Sequence, residues 1–350
     1  MKQRNYNLDV IRTVAVLLVL AVHTFLNLNF YDDAINNVPM GIVASLRTIC
    51  MSCVPLFMLL TGYLNNKKEP SKKYYLGIIK PMGIYILSAI AILWLVPSKA
   101  HIIDRIFQAI YTVNFGYSWY MGMYFGLFLL IPFLNLAWKG LPSQKHKQML
   151  ILTLFVLVSL SSITGNLFAL LGKTTTTDDY WVTLYPIFYY YVGAYIKESG
   201  FNLPTGKAFG IYVGALTVAS VVNVLQSQGG VFVWDYSAKY TGYAIITMSV
   251  LLFGMLLNAK TEKTPKVIKA IVTKISELSL GIYLLSYISD KWLYRLFIPM
   301  LPTNWMKYLY APLFLLGTFI IAFILSAIIH AVYKGIATLM RRILQPQKAE

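Results

Sequence analysis

Charge is scarce in this chain. Only 12% of its 350 residues are Asp, Glu, Lys or Arg, where an ordinary soluble domain carries roughly 25%. Hydrophobic residues make up 58%. That balance excludes a water-soluble domain and gives an all-α integral membrane protein. Cysteine is nearly absent, with Cys50 and Cys53 alone, which excludes a disulfide framework. The pair "CMSC" has i,i+3 spacing, but two thiols do not complete a zinc site and no Cys/His pair stands nearby in sequence. Packing of small residues between membrane helices is the simpler reading. No internal repeat or solenoid period is visible, and the one low-complexity tract, "TTTT" at 174–177, reads as an external loop. The first apolar run lacks a small-residue cleavage site and is too long for a signal peptide, so it is a retained helix.

What is present is a series of apolar stretches of the length a bilayer requires, about 20 residues each. Ten spans are predicted, at 8–29, 40–64, 74–97, 119–138, 149–172, 181–197, 208–226, 241–258, 275–297 and 311–333. They form a bundle of about ten transmembrane helices that occupies the whole chain. Residues 1–350 thus read as a single transmembrane domain with a core at 8–333 and a short basic tail at 334–350. Acidic groups number 13 against 30 Lys and Arg, a net charge of +17. The excess is not spread evenly. The N-terminus, the loops 65–73, 139–148, 197–207 and 258–274, and the tail hold about 20 of the 30 basic residues, and the alternate loops about five. "YDDAINNVP" has none, whereas "NNKKEPSKK" has four. Positive residues stay inside, so both termini are expected in the cytoplasm. Such charge faces anionic lipid headgroups, and nucleic acid is excluded as a partner.

One stretch departs from this pattern. "LDVIRTVAVLLVLAVH" at 8–23 carries Asp9, Arg12 and His23 inside a membrane-like run. Arg12 and His23 are eleven residues apart, about three turns plus 20°, so they share a helix face at roughly 16 Å along the axis. Asp9 precedes Arg12 by one turn and is placed to pair with it. Near the helix end, Asp9 and Arg12 could also simply snorkel to the interface. His23 lies deep in the span, where an ionisable side chain marks a functional site or a hydrogen-bonded structural role. His101 and His146 fall in loops, and His330 lies near the inner end of the last span.

Other polar residues have plainer alternatives. Arg47 in the second span and Glu277 in the ninth could pair within the bundle or snorkel, with Arg47 the stronger cavity candidate. Trp119 and Tyr120 sit where an aromatic belt is expected but could stack on a sugar. Tyr189, Tyr190, Tyr191 and Tyr195 read mainly as packing.

The pattern Leu8, Asp9, Arg12 and His23 resembles the first helix of the membrane acyltransferase-3 family, which O-acylates sugars and envelope polymers. "VPLFMLLTGYL" at 54–64 is similar to that family's second-helix signature, with Thr61 where serine is usual. "SWYMGMYFGLFLLIPFL" at 118–134, "YPIFYYYVGAYI" at 185–196 and "SLGIYLLS" at 279–286 resemble its later aromatic and glycine helices. Two positions depart. Ser286 stands where the family often has histidine, and Lys72, Lys73 and Lys80 occupy a segment usually rich in arginine. Lysine attracts phosphate but lacks arginine's bidentate geometry.

The resemblance implies an O-acyltransferase, most often an O-acetyltransferase, in a plasma membrane of bacterial type. It uses acyl-CoA as co-substrate, with no bound cofactor or metal, and a cell-surface carbohydrate or lipid-linked sugar as acceptor. Imidazole is suited to take the acceptor's hydroxyl proton near neutral pH, which makes His23 the expected base. Arg12, Lys72 and Lys73 are expected anion partners for the donor, with Asp9, Arg47, Trp119 and Tyr120 as further binding residues. Some relatives carry an extracytoplasmic hydrolase-like domain. This chain is expected to acylate directly or to hand the group to a separate extracytoplasmic transferase. An exporter of a lipid-linked sugar is the alternative reading, and it would show matching halves with interrupted helices.

Overall fold

The computed structural model describes residues 4–98, 100–110, 117–171, 180–234, 238–301, 303 and 305–344. The threonine tract at 174–177 lies outside them. Among the described residues there are helices and no strand; one isolated bridge joins Ala34 to Val231. Each predicted span contains a helix: α1 (Tyr6–Asn27), α2 (Val38–Cys50) with α3 (Cys53–Asn65), then a short α4 (Lys72–Tyr75) leading into α5 (Ile79–Leu95). A short α6 (Ile102–Ile110) precedes α7 (Trp119–Lys139) and α8 (Gln144–Leu170). The chain continues through α9 (Tyr185–Ser199), α10 (Thr205–Ser227), α11 (Tyr243–Leu257), α12 (Lys266–Phe297), the single turn α13 (Met306–Leu309) and α14 (Ala311–Leu344).

Among the described residues, seven segments are long and apolar enough to cross a membrane: α1, α2 with α3, α4 with α5, α7, α8, α10 and α14. Helices α9 and α11 are shorter, at 15 residues each. Helix α12 has 32 residues but carries many polar ones.

Local chemistry sets the helix ends. Asn5 caps α1 by accepting from the Asn7 amide at 3.0 Å, and Asn37 caps α2 by accepting from Met40 at 2.9 Å; each removes one orphan donor. The predicted span 40–64 is not one continuous helix, because it breaks at Met51 and Ser52. Pro55 therefore falls in the first turn of α3, where its missing amide costs no helical bond. Two spans run longer than expected. Helix α12 starts at Lys266 rather than 275, and α14 continues to Leu344, so residues 334–344 are helical rather than a loose tail. Hydropathy registers only the apolar portion of a helix, and both extensions are rich in lysine or arginine.

Helix α1 is the hub, packed against α12, α3, α14, α11 and α2. Its Ile11, Ala15, Val16 and Leu20 are fully buried. Helices α3 and α9 approach closely. A Cβ on Gly62 would lie 1.9 Å from the Tyr190 carbonyl oxygen, and one on Gly193 would lie 2.0 Å from that of Leu59. The glycines of two sequence motifs thus interlock backbone to backbone, as small residues do between membrane helices. Helices α5, α8, α10 and α14 expose large side chains such as Trp94, Leu152, Phe209 and Leu313 on their outer faces, as a lipid-facing surface requires.

Candidate active site

The base of α1 is a clamp of charges. Arg4 donates to both carboxylate oxygens of Asp9, at 2.6 and 2.8 Å, and to Glu277 on α12 at 2.7 Å. These side-chain hydrogen bonds, that of Asp9 first, raise the Arg4 pKa above its already high ordinary value. Asp9 is buried and also accepts from Ser276 Oγ at 2.7 Å. Arg12 Nη1 in turn donates to Ser276 Oγ at 2.9 Å and stands 3.8 Å from Asp9. The expected Asp9–Arg12 pair is therefore a secondary contact. Arg4 takes the bidentate position, and Ser276 relays Asp9 to Arg12.

Arg12 faces a cavity of about 240 Å³ that His23 also lines. The lining includes both Cys53 and Asn65, the two ends of α3, so the cavity follows that helix for about 18 Å. Thr61, Trp119, Tyr120, Tyr124, Tyr240 and Tyr283 complete its polar wall. Helical periodicity placed Arg12 and His23 on one face, and the fold opens that face onto one space. Trp119 and Tyr120 both line this cavity. The Trp119 ring is roughly parallel to that of Tyr240, with centroids 5.9 Å apart.

His23 is 8% exposed, and its Nδ1 is buried without a hydrogen-bond partner. Its ring stacks on Tyr117 at 3.7 Å and 22°, with Tyr283 at 6.3 Å. The Tyr283 hydroxyl donates to the Tyr117 carbonyl, and Asn27 donates to the His23 carbonyl at 2.7 Å and to the Tyr117 hydroxyl. The imidazole is thus fixed by ring stacking while one nitrogen stays unengaged.

Besides Asp9, which sits in the charge clamp, three expected binding residues lie outside the cavity. Lys72 and Lys73 are exposed on α4 and do not line the cavity. Arg47 is fully buried in a separate box. Its guanidinium lies 4.1 Å from the Trp234 ring centroid, 4.7 Å from Phe232 and 5.6 Å from Tyr31, and donates to the Tyr31 hydroxyl and the Ala238 carbonyl. Stacked, desolvated cations of this kind anchor structure. Arg47→Ala is expected to lower thermal stability by about 1 kcal/mol or more through the lost ring and hydrogen-bond contacts, read as a drop in Tm by fluorescence-detected chromatography. Acyl-CoA affinity in the folded fraction is expected to stay within about twofold, since the residue is outside the cavity. Ser286 is buried, bonds to the Tyr283 carbonyl at 2.8 Å and does not reach the cavity.

The sequence reading missed Arg4, Ser276, Tyr117 and Tyr240. Tyr283 lies within the quoted motif "SLGIYLLS", which gave a signal; Tyr117 comes from the segment before α7, which gave none.

A family model described as an acyltransferase domain, acyltransferase-3, matches residues 5–327. The chain belongs to the acyltransferase-3 family. Its match takes in all of α1, the cavity wall and the family signatures quoted above. This acyltransferase-3 member is a membrane protein by its apolar helices and an acyltransferase by its family. No curated protein and no solved structure matches the chain significantly.

Proposed function

We propose that this acyltransferase-3 protein moves an acyl group, most often acetyl, from cytoplasmic acyl-CoA to a hydroxyl of an envelope sugar, polysaccharide or glycolipid. The observation carrying this reading is the single cavity lined by Arg12 and His23. In the proposed arrangement α9, α11 and α12 complete ten spans, both termini face the cytoplasm, and the membrane is a bacterial plasma membrane. One transmembrane domain then serves the whole reaction.

Arg12 receives donor phosphate at the charged end of α1, where a guanidinium suits bidentate phosphate contact. Its face is preset by Ser276, Asp9 and Arg4. The pantetheine arm extends along the cavity and brings the thioester to His23. The acceptor hydroxyl approaches from the opposite side. His23 takes its proton as the oxygen attacks the thioester carbonyl; the tetrahedral intermediate then collapses, the C–S bond breaks and CoA thiolate leaves, taking the proton back from the imidazolium.

The test is acyl transfer by purified protein in nanodiscs, with [14C]acetyl-CoA and envelope carbohydrate of the producing cells. A labelled ester and free CoA are expected; an exporter would leave its substrate chemically unchanged. Arg12→Ala is expected to weaken acetyl-CoA binding about tenfold or more, the loss of a charge-assisted contact, in an equilibrium binding assay. Binding equal to wild type would remove Arg12 from the donor site.

A further inference from the structure

The cavity shared by Arg12 and His23 has many polar side chains on its wall, and several are already engaged. Thr61 Oγ1 donates to the Phe57 carbonyl at 2.7 Å, and the Asn65 amide donates to the Thr61 carbonyl at 2.9 Å. Arg12 Nη1 is held by Ser276, and the Tyr283 hydroxyl donates to the Tyr117 carbonyl. The Tyr240 hydroxyl stands 4.0 Å from Cys53 Sγ. The hydroxyls of Tyr120 and Tyr124 differ. They make no hydrogen bond among the described residues, and both side chains are partly exposed on the cavity wall.

Tyr120 and Tyr124 are one turn apart on α7 and share a face, with ring centroids 6.3 Å apart and planes 22° from parallel. Arg12 feels Tyr124 more strongly than Tyr120, whereas Tyr120 has Tyr283 and Cys53 among its electrostatic neighbours. Tyr120 therefore belongs to the His23 end. Its ring meets Tyr283 edge-on at 6.1 Å, and Tyr283 lies 6.3 Å from the His23 ring. Phe57 holds it from α3, 6.0 Å away. A ring packed against Tyr283, Phe57 and Tyr124 has little freedom to reorient, so its hydroxyl is presented in a fixed position.

Attack on a thioester needs a second group besides the base. As the acceptor oxygen bonds to the carbonyl carbon, the C=O π pair moves onto oxygen, and a preset donor aimed at that oxygen lowers the barrier, most of all where water is excluded. Arg12 is about 16 Å from His23 along α1, and the Tyr283 proton is committed to Tyr117. We infer that Tyr120 is the oxyanion donor of this cavity, its hydroxyl donating to the thioester carbonyl oxygen of the bound donor and to the tetrahedral oxyanion that follows. The assignment deepens the transferase reading above and rests on it. The Tyr120 proton is not transferred. His23 takes the acceptor proton, the oxyanion re-forms the C=O bond, the C–S bond breaks, and CoA leaves with the proton from the imidazolium. Tyr120 is thus a catalytic residue, where the sequence alone offered a ring for stacking on a sugar.

The experiment uses full-length protein in nanodiscs and acetyl-CoA carrying 13C at the carbonyl. Tyr120→Phe keeps the ring and removes no hydrogen bond within the protein, so it is expected to fold and to bind acetyl-CoA within about twofold of wild type. In infrared difference spectra, the thioester C=O band of the bound donor is expected at higher wavenumber in Tyr120→Phe than in wild type, because a hydrogen bond to the carbonyl is lost. Its kcat for transfer to envelope carbohydrate of the producing cells is expected to fall about 10²- to 10³-fold, the range for one oxyanion donor. A ring-fluorinated tyrosine at position 120 keeps the hydroxyl as a stronger donor and is expected to move the band the other way; it decides the matter if Tyr120→Phe does not fold. Tyr124→Phe, one turn toward Arg12, and Trp119→Phe, which removes the neighbouring indole N–H, are both expected to leave the band in place. A band unmoved by Tyr120→Phe overturns the assignment alone, as does a kcat within about threefold of wild type, or a band moved only by Tyr124→Phe or Trp119→Phe. A wild-type protein that binds acetyl-CoA and transfers nothing overturns the transferase reading and this assignment with it.

Discussion

His23→Ala is expected to slow acyl transfer by about 10² to 10⁴, the range a positioned general base contributes, or roughly 3–5 kcal/mol at the transition state. The expectation follows from chemistry and from placement. Attack on a thioester by a neutral sugar hydroxyl needs the proton removed as the bond forms. His23 is the sole histidine in the lining of the first cavity, and its Nδ1 is unengaged. Binding of acetyl-CoA is expected to change little, because the proposed phosphate contact at Arg12 is about 16 Å away along α1. The loss therefore falls on kcat rather than on donor affinity. Since His23 also packs on Tyr117, His23→Phe serves as the partner variant: it keeps a stacked ring and removes the base. If either variant, correctly inserted, transferred acyl groups at the normal rate, His23 would be a packing residue and the mechanism would fall.

The second large effect is on folding. Gly193→Ala and Gly62→Ala each insert a methyl where a backbone carbonyl already stands, 2.0 and 1.9 Å from the new Cβ. A backbone cannot swing aside as a flexible side chain can, so α3 and α9 would have to separate along their shared face. The cost is expected to reach or exceed the ~1–3 kcal/mol of ordinary overpacking. That outweighs the roughly 1 kcal/mol that alanine gains over glycine in a helix. Little folded protein should then elute as a monodisperse peak. Gly210→Ala on α10 is the control: nothing lies within 4 Å of its Cβ position, so the same helical gain appears without the clash and stability should hold or rise. Equal behaviour of the three variants would show that α3 and α9 do not meet in this way.

Helix α3 matters to both results. It lines the cavity shared by Arg12 and His23 from Cys53 to Asn65 and is pressed onto α9 at Gly62. A wider α3–α9 spacing would move Thr61 and Asn65 relative to Arg12. A weak Gly62→Ala enzyme should therefore show altered donor affinity, whereas His23→Ala should not.

The all-helical membrane character was legible because composition is a whole-chain property: 58% hydrophobic residues and 12% charged ones leave no other solvent for the chain. Nine of the ten predicted spans each overlap a helix of 15 residues or more, and the tenth, 40–64, is split by the break before Pro55. The helix ends were less legible at Lys266 and Leu344, where helices outrun their apolar stretches and hydropathy has nothing to register. Arg12 and His23 were readable as partners because 3.6-residue periodicity is a local rule that needs no knowledge of neighbours. The same locality gave Asp9 its contact with Arg12 at 3.8 Å, but not its closer partners, Arg4 and Ser276.

Arg47 shows the other limit. A lone arginine in an apolar span signals a buried environment, but whether that environment is a cavity or a box of rings depends on Tyr31, Phe232 and Trp234, which come from two connecting segments far apart along the chain. Lys72 and Lys73 carried the right charge in a plausible loop, and the fold turned them outward. The sequence by itself determined the solvent, the helices and the face of α1 that bears Arg12 and His23, because those follow from composition and short-range periodicity. Tertiary structure alone decided that this face opens on a cavity walled by α3 and α7, and that Tyr117 stacks on His23. Those placements arise from helix packing, where the contacting residues are close in space and far apart along the chain.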